Sequence, residues 1–91
     1  MRRTDYLWFV LGNSLGEAEI LLEVGDTKRA NYLLWFAEQS ARELAERREE
    51  IRPVYNAISD IRAQLEYEKN AEITRRRISR LAADIGDMLS G

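Results

Sequence analysis

Arg75, Arg76, Arg77 and Arg80, in the run TRRRISR, are the most concentrated charge in this 91-residue chain. On a helix Arg76, Arg77 and Arg80 share one broad face opposite Ile78, a spacing that could grip successive phosphates of a nucleic acid. The same face could instead be solvated, or pair with an acidic stretch such as residues 46–50. A second group is aromatic. Tyr32, Trp35 and Phe36 fall on one side of a helical run, and such residues are enriched where one protein grips another. Their alternative is intramolecular packing against Leu15 and Ala18 of the first helix, and against the third.

Carboxylates are abundant (Glu17, Glu19, Glu23; Glu46, Glu49, Glu50; Glu66, Glu68), and solvated helix faces account for them. The chain has no histidine and no cysteine. The commonest general base and metal ligand are therefore missing, as are thiolate sites and disulfides. Di-metal helical bundles built on Glu-x-x-His pairs fall away for the same reason. The glycines, at 12, 16, 25, 86 and 91, are too scattered for a phosphate-binding loop. No catalytic residues, no cofactor and no metal site are expected, and the chain reads as a non-enzyme.

A chain of 91 residues makes one domain, near the small end of what a single core can hold together. Oligomerisation is a common way for such chains to complete their burial. Hydrophobic residues make up 45% and charged residues 33%, the balance of a folded, well-solvated helical protein. The net charge is −2, and each third of the sequence is near neutral, which argues against coating nucleic acid or anionic lipid. Arginine dominates the bases, Lys28 and Lys69 being the two lysines. Arginine suits planar ion pairs and interfaces.

The elements that must position these groups read as helices. Residues 4–24 place Trp8, Leu11, Leu15, Ala18 and Leu22 on one stripe, widened by Leu7 and Leu21, with Thr4 or Asp5 as N-cap. The opening apolar run is too short for a secretory signal, and Glu17, Glu19 and Glu23 interrupt any membrane span, which needs about 20 apolar residues. No membrane partner is expected, and the expected location is cytoplasmic. Gly12 and Gly16 lie one turn apart inside this helix, each costing about 1 kcal/mol against alanine. Close approach of a neighbouring helix is the expected compensation.

Gly25, Asp26 and Thr27 form a well-specified turn: glycine ends one helix in the left-handed region, and Asp26 or Thr27 caps the next. So short a connection makes the first two helices antiparallel. Ala18, Leu21, Gly25, Asp26, Ala30, Leu34 and Ala37 fall where a tetratricopeptide repeat has its small, apolar and turn residues. Over this third of the chain the sequence resembles such a repeat, and the resemblance implies hairpin packing of that kind. Ser14, Glu17 and Arg42 depart from the family pattern, and no second copy follows.

The second helix runs from about 27 to 52, with Ala30, Leu33, Leu34, Ala37, Ala41, Leu44, Ala45 and Ile51 as its stripe. Pro53 should end it and reverse the chain. From 54 to 89 one long helix is expected. Val54, Ile58, Ile61 and Leu65 share a row with Ile51. A second row, Tyr67, Ala71, Thr74, Ile78, Leu81, Ile85 and Met88, is shifted by one position, so a break near Asn70 is the alternative. Unbroken, the helix would be about 54 Å long against about 31 Å for the first, and its overhang would call for a second subunit.

The fold expected is therefore all-α: an antiparallel hairpin plus a long C-terminal helix in a three-helix bundle, or four helices if the chain breaks near Asn70. The function expected is a helical protein–protein interaction module, homodimeric, serving as an adaptor, regulator or inhibitor of an unidentified protein partner. Tyr32, Trp35 and Phe36 are its expected contact residues. The alternative is a nucleic-acid-binding regulator using Arg75, Arg76, Arg77 and Arg80.

Overall fold

A computed structural model describes residues 2–90. It contains α1 (Arg3–Glu23), α2 (Thr27–Arg47), a single 3-10 turn (Glu49–Ile51), α3 (Arg52–Glu68) and α4 (Ala71–Ser90). Packing runs around a ring, α1 on α2, α2 on α3, α3 on α4 and α4 back on α1. Cross-links fix the directions. Arg3 near the start of α1 meets Glu43 near the end of α2, and Arg62 of α3 meets Glu38 and Asn31 of α2. Arg75 near the start of α4 lies beside Glu19 and Glu23 at the end of α1. Neighbours are thus antiparallel, as in an up-down-up-down bundle, and the molecule measures 34 × 22 × 21 Å.

The first turn forms as its residues require. Asp26 N–H donates to Leu21 O at 2.9 Å and Gly25 N–H to Leu22 O at 3.1 Å, the paired bonds of a Schellman motif, with Gly25 at φ 79°. Asp26 Oδ1 then accepts from Arg29 N–H at 3.2 Å and caps α2. At the start of α1 the cap position is Arg2, not Thr4 or Asp5. Its side chain makes no capping bond, and Asp5 lies in the first turn, where a carboxylate favours the helix dipole.

Two boundaries differ from expectation. The second helix stops at Arg47 rather than near 52, because Arg48 turns extended and Glu49–Ile51 tighten into the 3-10 turn. Pro53 then sits in the first turn of α3, where its missing N–H is harmless. The long helix over 54–89 is replaced by two. Lys69 takes the left-handed conformation at φ 54° and ends α3. Asn70 Oδ1 accepts from Ile73 N–H at 3.0 Å, and Asn70 O accepts from Thr74 Oγ1 at 2.8 Å. The four-helix form with its break at Asn70 is the one adopted, so no rod overhangs the bundle.

Each helix gives one row to the core: Leu11 and Leu15, Leu34 and Leu44, Ile58 and Leu65, and Ile78 are all almost wholly buried. Ala18, Ala30, Ala37 and Ala41 are fully buried, so α1 and α2 approach over small side chains. Of the other expected core positions, Trp8, Leu21 and Ala71 are partly buried against the core and three more depart from expectation to differing degrees. Leu33 is half-buried, Met88 is exposed near the end of α4, and Tyr67 is 90% exposed because the break at Lys69 separates its row from that of α4. Gly12 and Gly16 also correct the expectation of a neighbouring helix: a Cβ at either would meet nothing within 4 Å.

Candidate functional site

Tyr32, Trp35 and Phe36 lie on the outer side of α2, because the inner side is taken by Ala30, Leu34, Ala37 and Ala41. The three rings also pack on one another. Tyr32 and Phe36 meet edge-on with centroids 5.1 Å apart and planes at 86°, and Trp35 meets Phe36 at 5.1 Å and 74°. Such T-shaped pairs are favourable because a positive ring edge faces a negative ring face. The cluster stays open, with Tyr32 64%, Trp35 41% and Phe36 37% exposed. The core packing considered for these rings therefore covers only part of them.

Charged and polar groups frame the cluster on both sides. Towards α1, Phe36 borders a shallow depression shared with Tyr6 and Val10 and edged by Arg3 and Glu43. Arg3 grips Glu43 in a two-pronged pair at 2.7 and 2.8 Å, and its guanidinium carbon also lies 5.4 Å from the centre of the Tyr6 ring. Hydrogen bonding from Arg3 holds the Glu43 carboxyl at a pKa of about 2, with a smaller contribution from Arg47 at 3.3 Å. Towards α3, Tyr32 and Trp35 border a second groove with Lys28, Asn31 and Arg62. Arg62 donates to Asn31 Oδ1 at 3.1 Å and to Glu38 Oε1 at 2.6 Å, and Ser59 Oγ donates to Glu38 Oε2 at 2.6 Å. Of the framing side chains, Arg3, Glu43, Asn31 and Arg62 are thus held by partners on neighbouring helices.

The arginine cluster is arranged differently. Arg75 donates to both oxygens of Glu72 at 2.9 and 3.2 Å, and Arg76 donates to the same carboxylate at 3.1 Å. Hydrogen bonding, led by Arg75, lowers the Glu72 pKa. Arg77 donates to Gln64 of α3, and Arg80 is exposed. The four cations do not converge on one face free of counter-charge: two share one acid, one reaches α3, and one projects alone.

The abundant carboxylates form no group able to hold a metal ion among the described residues. No described helix is long and apolar enough to cross a membrane. The structure also adds residues that sequence reasoning passed over: Arg3, Tyr6, Val10 and Glu43 beside the aromatic cluster, and Phe9 and Ile20 on the outer side of α1. Helix 1 carries large apolar residues off its core stripe, and that was the signal available. No family model, curated protein or solved structure matches the chain.

Proposed function

We propose that this chain is a non-enzymatic helical protein–protein interaction module, homodimeric, acting as an adaptor, regulator or inhibitor by covering part of a partner protein's surface. The observation that carries the reading is the Tyr32–Phe36–Trp35 cluster: three aromatic rings in edge-on contact, partly exposed on one helix face and bordered by polar groups, several of them held by cross-helix bonds. Aromatic anchors inside a polar rim are the anatomy of an interaction hot spot. Holding the rings in place before contact reduces the ordering entropy that binding must overcome. The absence of histidine and cysteine from the sequence supports a binding rather than a catalytic role.

The test uses the wild type and a Trp35→Ala/Phe36→Ala variant as baits in the native host, with circular dichroism confirming that both are helical. Truncating hot-spot residues costs about 2 kcal/mol or more each, so the double variant should lose its partner almost completely. Recovery of the same proteins by both baits would remove the site. Nucleic-acid binding through Arg75, Arg76, Arg77 and Arg80 has less support, because Glu72 already neutralises part of that cluster. A gel shift at low salt that vanishes on neutralising Arg76, Arg77 and Arg80 would reverse that ranking.

A further inference from the structure

The outer face of α1 has no partner within the chain. Phe9, Ile20 and Val24 are 63, 62 and 76% exposed there, with Tyr6 beside them. A helix apolar on its outer as well as its inner side has a second surface to bury. Gly12 and Gly16 lie on the same side, next to Phe9 and Asn13, and the space where their Cβ atoms would sit is open. Nothing inside the molecule explains two helix-weakening glycines at those positions.

Charge along the face supplies its occupant. Arg2 stands at the beginning of α1, while Glu17 and Glu23 stand towards its end. Among the described residues none of these three forms an ion pair within 4.0 Å, although Arg75 of α4 lies beside Glu23 and Asn13 donates to Glu17 at 3.4 Å. An antiparallel copy of the same helix would bring Arg2 against Glu23 at both ends at once, and would oppose the two helix dipoles. A parallel copy would set Glu17 and Glu23 beside their own equivalents. With a twofold axis passing between Gly12 and Asn13, Phe9 falls opposite Gly16 of the second copy, and the reverse. Each ring then has a side-chain-free site to enter, and Asp5 falls opposite the apolar Ile20 rather than an acid.

We infer that α1 is the self-association surface: a second copy of this chain docks antiparallel on it, with Phe9 of each copy seated over Gly16 of the other. The inference rests on the homodimeric part of the proposed function and assigns that part to α1, leaving the Tyr32–Trp35–Phe36 cluster for a different protein.

The test is molar mass by sedimentation across the micromolar range for the full chain and three kinds of variant. Wild type should be a dimer, and Gly12→Leu/Gly16→Leu a monomer. Leucine fits the open space in the monomer and favours helix, so this variant should melt no lower than the wild-type monomer, which separates loss of pairing from loss of fold. Trp35→Ala/Phe36→Ala should remain a dimer. Because the chain has no cysteine, single cysteines report direction. Asn13→Cys, beside the axis, should cross-link to its own copy. Val24→Cys should not, since antiparallel copies separate those positions by about 34 Å at the helical rise. A monomeric wild type, a dimeric leucine variant or cross-linking through Val24→Cys would overturn the inference. If the alanine variant alone dissociates, self-association runs through the aromatic cluster: the α1 assignment fails while the interaction-module reading stands.

Discussion

The two hairpins of the bundle solve the same packing problem with different residues. The α1–α2 hairpin buries alanines at its seam, Ala18, Ala30, Ala37 and Ala41, beside core leucines such as Leu11, Leu15, Leu34 and Leu44, and also keeps large apolar side chains such as Phe9, Ile20, Tyr32 and Trp35 outside. The α3–α4 hairpin puts its large residues inside, in the rows Val54, Ile58, Ile61, Leu65 and Ile78, Leu81, Ile85. Its outside is mostly charged, with Tyr67, Ile73, Met88 and Leu89 as exceptions. Burial accounts for the second arrangement apart from those four. In the first, Tyr32, Trp35 and Phe36 keep 37–64% of their surface in water after the core is complete, and that exposed apolar surface is what supports the proposed contact with another molecule.

Truncation separates the two roles and should give the largest effects. Leu34→Ala and Ile58→Ala each remove a side chain with no exposed surface, and each should lower stability by about 2–5 kcal/mol. Trp35→Ala removes a larger side chain that is 41% exposed, and should lower stability by less than either core truncation. Urea unfolding monitored by helicity measures all three. If Trp35→Ala proves as damaging as Leu34→Ala, the cluster is part of the core and the contrast between the hairpins collapses.

That contrast was only half legible in the sequence. Helical periodicity exposes any face that repeats every three or four residues, so Leu11, Leu15, Leu34, Ile58 and Ile78 were placed in the core by spacing alone. The Gly25–Asp26 turn was equally readable, because few residues other than glycine adopt φ 79° and aspartate is a strong cap. The break at 69–70 was visible as a shift of register at a polar stretch ending in Asn70, a residue able to cap the next helix, while lysine gives no warning of a left-handed conformation. Tyr32, Trp35 and Phe36 could be singled out but not assigned, since exposure depends on where a neighbouring helix lies. Phe9 and Ile20 were passed over because a search for one stripe discards whatever lies off it. The engagement of Arg75 and Arg76 by Glu72 was hidden for a related reason: ion-pair choice among many nearby charges is decided by rotamers rather than spacing.

The two turns extend the comparison at a smaller scale. Both place one residue in the left-handed region, Gly25 in the first hairpin and Lys69 in the second. An L-residue with a side chain costs about 1–2 kcal/mol there. Gly25→Ala should therefore destabilise by about that amount, while Lys69→Gly should stabilise by up to about 1 kcal/mol once glycine's extra chain entropy is subtracted. Thermal unfolding of the pair gives the signs directly. Two shifts in the same direction would mean that one of these residues is not held left-handed in solution.

The smallest effect concerns the ion pairs and distinguishes the hairpins once more. Arg3–Glu43 crosses from α1 to α2 at 2.7 Å, whereas the Glu72 pairs with Arg75 and Arg76 lie within α4. The Glu43 pKa falls from 4.5 to about 2, chiefly through the hydrogen bond from Arg3. A carboxyl whose folded pKa is depressed binds its proton more readily in the unfolded chain. Its stabilisation is therefore complete above about pH 4.5 and fades as pH falls towards 2. Both partners are open to solvent, so the effect is modest and weakens with salt. Glu43→Gln should lower the urea midpoint near neutrality, and the difference from wild type should close on acidification through that window. Glu72→Gln should also lose its effect as pH falls, but by a smaller margin, because solvent-exposed neighbours on one helix contribute little. A Glu43→Gln deficit that stays constant down to pH 2 would show that the residue acts by packing beside Tyr6 and Phe36, and that the α1–α2 seam is held without its cross-helix charge pair.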